Sequence, residues 1–185
     1  MTKKQIRNKN LIEKYPFLKW WGDPLYTDYK EEGEPSYDYT WEDEVPAGWR
    51  KAFCPLMWDE LKDILQKANY VEKFRFAQIK EKYGTLRLYE ADVPNEIFDE
   101  ILAWAQKYEN LSAKTCIYCG ADHVDYMTTG WITFICKGCA QEIAKDQLKK
   151  FGSYDHFVPM NDIDLFYDDR DAYWEKHKND DILKD

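Results

Sequence analysis

The chain has 185 residues, a formal charge of −9, 44% hydrophobic, 17% aromatic and 33% charged residues. Such aromatic content argues for a folded rather than a disordered chain, and the length supports a buried core without disulfides. Net acidity argues against a protein built to grip phosphate backbones, which clustered Lys and Arg normally meet.

The charge is uneven along the chain. Residues 1–27 carry six basic and two acidic groups, residues 28–45 one basic and eight acidic, and residues 161–185 four basic and nine acidic. The body between them is nearly neutral. The basic N-terminus is not followed by the apolar run of a signal peptide, and no stretch approaches the ~20 apolar residues of a spanning helix. Four of the five cysteines fall in two C-x-x-C pairs. That usage suits metal binding in a reducing cytoplasm better than a disulfide framework. The fifth, Cys54, sits beside Pro55 in an apolar stretch and reads as a small buried hydrophobe.

In chain order, a short helix is expected to end near Lys14, with Pro16 as its breaker. Residues 28–48 are acidic and aromatic, interrupted by Gly33, Pro35, Pro46 and Gly48, and read as a long surface loop. Its Tyr37, Tyr39, Trp41 and Trp49 fit a loop packed down by its rings. The sharper alternative is an exposed contact strip of Tyr37, Tyr39, Trp41, Glu42, Asp43 and Glu44. A helix follows from Pro55, with Met57, Leu61, Ile64, Leu65 and Ala68 at helical spacing. The period then changes: Phe74 and Phe76, then Leu86 and Leu88, alternate with other residues around Gly84, predicting a β-hairpin of about 73–81 with 85–90. Asp92 and Pro94 open a further helix whose apolar stripe is Ile97, Ile101, Leu102, Ala105 and Tyr108.

The most specific signal is Cys116-x2-Cys119 and Cys136-x2-Cys139, with sixteen residues between the pairs. Zinc prefers four thiolates in a tetrahedron, and each C-x-x-C turn brings two sulfurs to one ion. Gly120 frees the backbone to turn. Val124–Thr128 and Trp131–Ile135 predict a second hairpin around Thr129-Gly130. Ala140–Leu148 is a helical run, placing Cys139 near a helix N-terminus that favours a thiolate. Knuckle, hairpin and helix is the order of a treble-clef finger, with a zinc ribbon the close competitor. Four cysteines leave no open position, so the expected Zn2+ is structural rather than catalytic. His123, four residues past Cys119, is the alternative ligand.

Other groupings carry less chemistry. Ser153, Asp155 and His156 are neighbours on one stretch, whereas triad members converge from separate positions on a scaffold. Asp162, Asp164, Asp168, Asp169 and Asp171 lack the Gly and Glu of an EF-hand loop and read as a solvated acidic tail. Arg75, Lys80, Lys82 and Arg87 on or beside the first hairpin offer a local basic patch or a solvated sheet face.

The expected fold class is α+β: a helix–β-hairpin–helix core followed by a four-cysteine, treble-clef-like zinc finger. The expected division is an acidic aromatic segment 1–50, an α+β core 51–112, a zinc module 113–150 and an acidic tail 151–185.

The stretch from Phe74 to Tyr89, containing Lys80-Glu81-Lys82-Tyr83-Gly84-Thr85-Leu86-Arg87, together with Cys116-x2-Cys119-Gly120, Gly130-Trp131 and Cys136-x2-Cys139, resembles small uncharacterised proteins of bacteriophage and prophage genomes. The resemblance covers roughly residues 50–145. It implies a phage or mobile-element context and supplies no catalytic residues. The functional expectation is a cytoplasmic, non-enzymatic zinc protein that contacts a protein partner with a basic face. One concrete form is inhibition of a host nucleic-acid-binding or defence protein, whose phosphate groove an acidic surface can occupy. The alternatives are a nucleic-acid-binding zinc finger and an enzyme of unrecognised type.

Overall fold

The computed structural model describes residues 1–20 and 37–184. The chain divides into two units, one of Met1–Pro46, Phe53–Lys82 and Leu86–Leu111, the other of Ala47–Ala52, Tyr83–Thr85 and Ser112–Asp185. Both mix helices with a small sheet, giving the α+β class.

The first unit starts with α1 (Lys3–Lys14), opened by a capping box in which Thr2 and Gln5 satisfy each other's backbone amides. It ends at Tyr15-Pro16, as the sequence predicts. After helix α2 (Ala47–Phe53), whose residues Ala47–Ala52 belong to the second unit, the first unit continues with α3 (Leu56–Lys67), which buries Met57, Trp58, Leu61 and Leu65. Strands β1 (Phe76–Lys82) and β2 (Thr85–Glu90) form the expected hairpin. Its two-residue turn has φ 52° at Tyr83 and 76° at Gly84. Positive φ at both positions is the requirement of the type I′ turn, whose twist matches that of the strands. Strand β2 buries Leu86 and Leu88 in alternation, while β1 buries Phe76 and Ile79, three apart.

Helix α4 (Phe98–Ser112) follows. Its buried face is Ile101, Trp104, Ala105 and Tyr108, continuing from Ile97. Leu102, expected in the stripe, is 52% exposed. Trp104 takes its place because its indole N–H finds the buried Met57 carbonyl at 3.0 Å. The core is largely aromatic, with Phe17, Trp41, Trp58, Phe74, Phe76 and Trp104 linked by ring contacts.

Part of the predicted acidic loop, 28–36, lies outside the described residues. The remainder is not a free surface strip. Trp41 is 3% and Glu42 5% exposed, in a short 3-10 turn over Trp41–Glu44. Glu42 accepts the Trp58 indole N–H at 2.9 Å and pairs with Arg7. Asp43 caps the turn through the Thr40 amide, and Glu44 accepts the Tyr39 hydroxyl at 2.7 Å. Tyr37 lends its carbonyl to Asn8. The expected contact residues instead fasten this segment to the core, because donors placed against a carboxylate offset the cost of burying it.

The second unit contains β3 (Tyr126–Thr128), β4 (Phe134–Ile135), α5 (Lys137–Phe151), β5 (Phe157–Pro159), α6 (Ile163–Asp168) and α7 (Arg170–His177). Its sheet has the order β4-β3-β5, all antiparallel, with Met127 opposite both Phe134 and Val158. Helix α5 ends on Gly152 in the left-handed conformation, φ 76°. Residues 151–184, the described part of what the sequence reads as a solvated acidic tail, are folded. They supply the third strand, and Val158, Phe166 and Tyr173 form a core with Met127. The burial of these apolar groups outweighs the repulsion among carboxylates that remain in water. Among the described residues, no helix is long and apolar enough to cross a membrane.

Candidate metal centre

The four paired cysteines converge. The sulfurs of Cys116, Cys119, Cys136 and Cys139 all lie within 4.8 Å of one another, and those of Cys119 and Cys136 are 3.6 Å apart. A tetrahedron with metal–sulfur bonds of about 2.3 Å has an edge of about 3.8 Å, so this donor set can hold one metal ion.

The first pair sits on a tight knuckle. The Cys116 amide donates to the Ala121 carbonyl and the Gly120 amide to the Cys116 carbonyl, both at 2.9 Å. Gly120 has φ 78°, and a Cβ there would lie 2.5 Å from the Gly48 carbonyl oxygen. Only glycine meets both demands. The second pair opens α5, with Cys136 at its N-cap and Cys139 in the first turn. Asp125 accepts the Lys137 amide at 2.7 Å and its own amide donates to Ile135 at 2.9 Å, joining strand and helix start. Ile117 donates to Phe134 at 3.3 Å, tying knuckle to hairpin. Thr128 closes the hairpin: its hydroxyl accepts the Thr133 amide at 2.8 Å and donates to the Trp131 carbonyl at 2.6 Å.

A support that sequence reasoning misses comes from residues 47–52. Gly48 donates its amide to Ile117 at 2.9 Å, the buried Trp49 indole donates to Thr115 at 2.9 Å, and Lys51 reaches the Cys119 carbonyl at 3.2 Å. Three donors from one short helix therefore clasp the knuckle. Gly48 is legible in the sequence only as a loop residue, since nothing local says which backbone it will touch.

The electrostatics suit a cation. Burial opposes ionisation of Cys116, yet backbone hydrogen bonds at Cys119, Cys136 and Tyr118 and the Cys119 side chain bring its thiol down to about 7. Burial raises Cys136 and Cys139, and the neighbouring sulfurs Cys119 and Cys116 add to the effect. One negative charge is favoured here and further ones repel it. A bound cation turns that repulsion into attraction and holds all four thiolates ionised.

Other sequence candidates stand apart. His123 is exposed beside Asp122 and Asp125, at 3.3 and 3.8 Å, outside the sulfur cluster. Cys54 is half-buried and also outside it. Asp155 accepts from Gln147 at 2.7 Å, while His156 Nε2 lies 2.5 Å from the Tyr173 hydroxyl. The first hairpin's cations are largely engaged: Arg75 donates to the Glu72 and Phe74 carbonyls, Arg87 pairs with Glu109 at 3.6 Å, and Lys80 lies over Tyr89.

One polar cluster escapes the sequence reading. His177 is buried, with Nδ1 2.5 Å from Asp180 and Nε2 3.2 Å from Asp162 but not aligned for a hydrogen bond there. Tyr173 stacks on it at 4.3 Å, and burial with Asp162 and Asp180 pushes that phenol up to about 12. Tyr173 therefore stays protonated and shares a hydrogen bond with His156 Nε2. The i, i+4 spacing of Tyr173 and His177 is the available signal. Comparison of the chain with protein-family models, curated proteins and solved structures finds no match.

Proposed function

We propose that the chain is a structural-zinc protein of phage or prophage type that acts through contact with another protein. One Zn2+ is held by Cys116, Cys119, Cys136 and Cys139 in a treble-clef finger. The observation that carries this reading is the convergence of four sulfurs from a knuckle and a helix start. Zinc is the ion because four soft thiolates in a tetrahedron suit it better than hard cations, which take oxygen ligands. The start of α5 immediately at the second pair favours a treble clef over a ribbon.

Four thiolates complete the coordination shell, so the ion's role is to hold the fold. Contact as the mode of action is supported by surface chemistry. Tyr118, inside the first pair, is 54% exposed, and Trp131, at the hairpin tip, is 76% exposed. Large amphipathic rings of this kind anchor interfaces. Asp164, Asp168 and Asp171 are exposed on α6 and α7 and complement a basic partner. The phage assignment rests on the resemblance of residues 74–89 and 115–139.

Native mass spectrometry with elemental analysis tests the metal reading: one zinc per chain is expected, lost in Cys139→Ser. Failure to take up zinc after reduction and refolding with the metal overturns it. Affinity capture with a D164N/D168N/D171N variant tests the contact reading. A partner retained unchanged by that variant would remove the acidic surface from the account.

A further inference from the structure

The second unit carries a cavity of about 430 Å3 lined by Met127, Ile132, Phe166, Trp174, His156 and Arg170, among others. Its volume is that of a small-molecule site. The side chains around it form a contiguous array. Arg170 places its guanidinium 5.0 Å from the Phe166 ring centre, Phe166 and Trp174 meet edge to face, and Trp174 lies 4.6 Å from His156.

Arg170 stands out among the local charges. Residues 161–185 contain four basic groups, and Lys176, Lys178 and Lys184 each pair with a carboxylate, at 2.6, 2.5 and 2.8 Å. The Arg170 guanidinium makes no hydrogen bond or ion pair among the described residues, although nine acidic residues share the segment. The Trp174 indole N–H is likewise without an acceptor among them. A guanidinium that is always charged, held over an aromatic ring at the cavity, is a fork for a carboxylate.

We propose that this cavity binds a small aromatic carboxylate, its ring against Phe166 and Trp174 and its charge on Arg170. The exposed Asp168 and Asp171 beside Arg170 in sequence favour a monoanion over a phosphate dianion, since each added ligand charge meets their repulsion. The site is distinct from the sulfur cluster and does not depend on the identity of its metal.

The test is titration of the 185-residue chain with 2-naphthoate, 2-naphthamide and 2-naphthyl phosphate, followed by the indole N–H resonances in 15N–1H spectra. The Trp174 signal is assigned by its loss in Trp174→Phe. Naphthoate is expected to shift that signal and to bind about tenfold tighter than naphthamide, the loss of one charge-assisted pair. R170Q should abolish this preference while keeping naphthamide binding and the dispersion of the spectrum. Naphthyl phosphate should bind more weakly than naphthoate. Equal affinities for naphthoate and naphthamide, an unchanged preference in R170Q, or no Trp174 shift at millimolar ligand would overturn the assignment. Tighter binding of the phosphate would overturn its carboxylate part.

Discussion

Gly48→Ala and Gly138→Ala separate two physical effects that point in opposite directions. Both glycines lie in helices, where intrinsic propensity alone makes Ala better by ~0.8–1.0 kcal/mol. At Gly138 a Cβ would meet nothing within 4 Å, so propensity should act unopposed. At Gly48 the same atom would lie 2.4 Å from the carbonyl oxygens of both Cys116 and Ile117. Relief needs a backbone displacement of about 1 Å to reach ordinary van der Waals separation. The Gly48–Ile117 hydrogen bond and its neighbours from Trp49 and Lys51 would be strained together. Overpacking costs ~1–3 kcal/mol and a lost buried hydrogen bond about 1 kcal/mol more. Less the propensity gain, G48A should destabilise the second unit by about 1–3 kcal/mol, and G138A should stabilise it by about 0.5–1 kcal/mol. Urea titration read by chromophoric zinc release reports on this unit. The same sign for both variants, or a G48A change below about 0.5 kcal/mol, would show that residues 47–52 do not clasp the knuckle.

Three further outcomes are expected. Cys139→Ser should abolish stoichiometric zinc and lower the unfolding midpoint of the second unit, as chelation of the wild type should, both read by zinc release and near-ultraviolet dichroism. Glu42→Ala should cost about 2–3 kcal/mol in urea unfolding, because it orphans the Trp58 indole and removes the Arg7 ion pair, and Trp58→Phe should be non-additive with it in a double-mutant cycle. Burial, then the nearby His177, lowers the pKa of His156, so the unfolded chain binds its proton first. The His156 contribution to stability is therefore full above about pH 6.5 and falls as pH drops from there through the lower folded value, which histidine resonances followed against pH would show.

Legibility follows the range of the interactions. The cysteine knuckles, the turn glycines and the start of α5 are decided by neighbours a few residues away, and sequence patterns place them. Gly84 is an example: the reversal needs positive φ, and the structure has it there and at Tyr83. Helix α2 is hidden from such reasoning because Pro46 and Gly48 read locally as breakers. Its justification is the carbonyl pair of Cys116 and Ile117, far along the chain. The exchange of Leu102 for Trp104 has a similar origin. Both sit near one helical stripe, and the acceptor at Met57 that favours Trp104 belongs to another helix.

The acidic segments show why charge counts misplace the surface. A sum over residues 28–45 or 161–185 treats every carboxylate as a solvated charge. In the structure several are structural acceptors: Glu42 for an indole, Asp43 for a turn amide, Asp162 for Lys176. Composition cannot reveal this, because a buried carboxylate and a solvated one contribute equally to net charge. The relevant question is where the donors are, and those donors are Trp58, Thr40 and Lys176, scattered along the chain. What remains outside such pairing is more informative than the total. By that criterion the carboxylates of Glu42, Asp43 and Glu44 belong first to the fold, each committed to an internal donor. Arg170 has a claim as a contact, because it is a cation left uncommitted in the segment with the largest choice of anions.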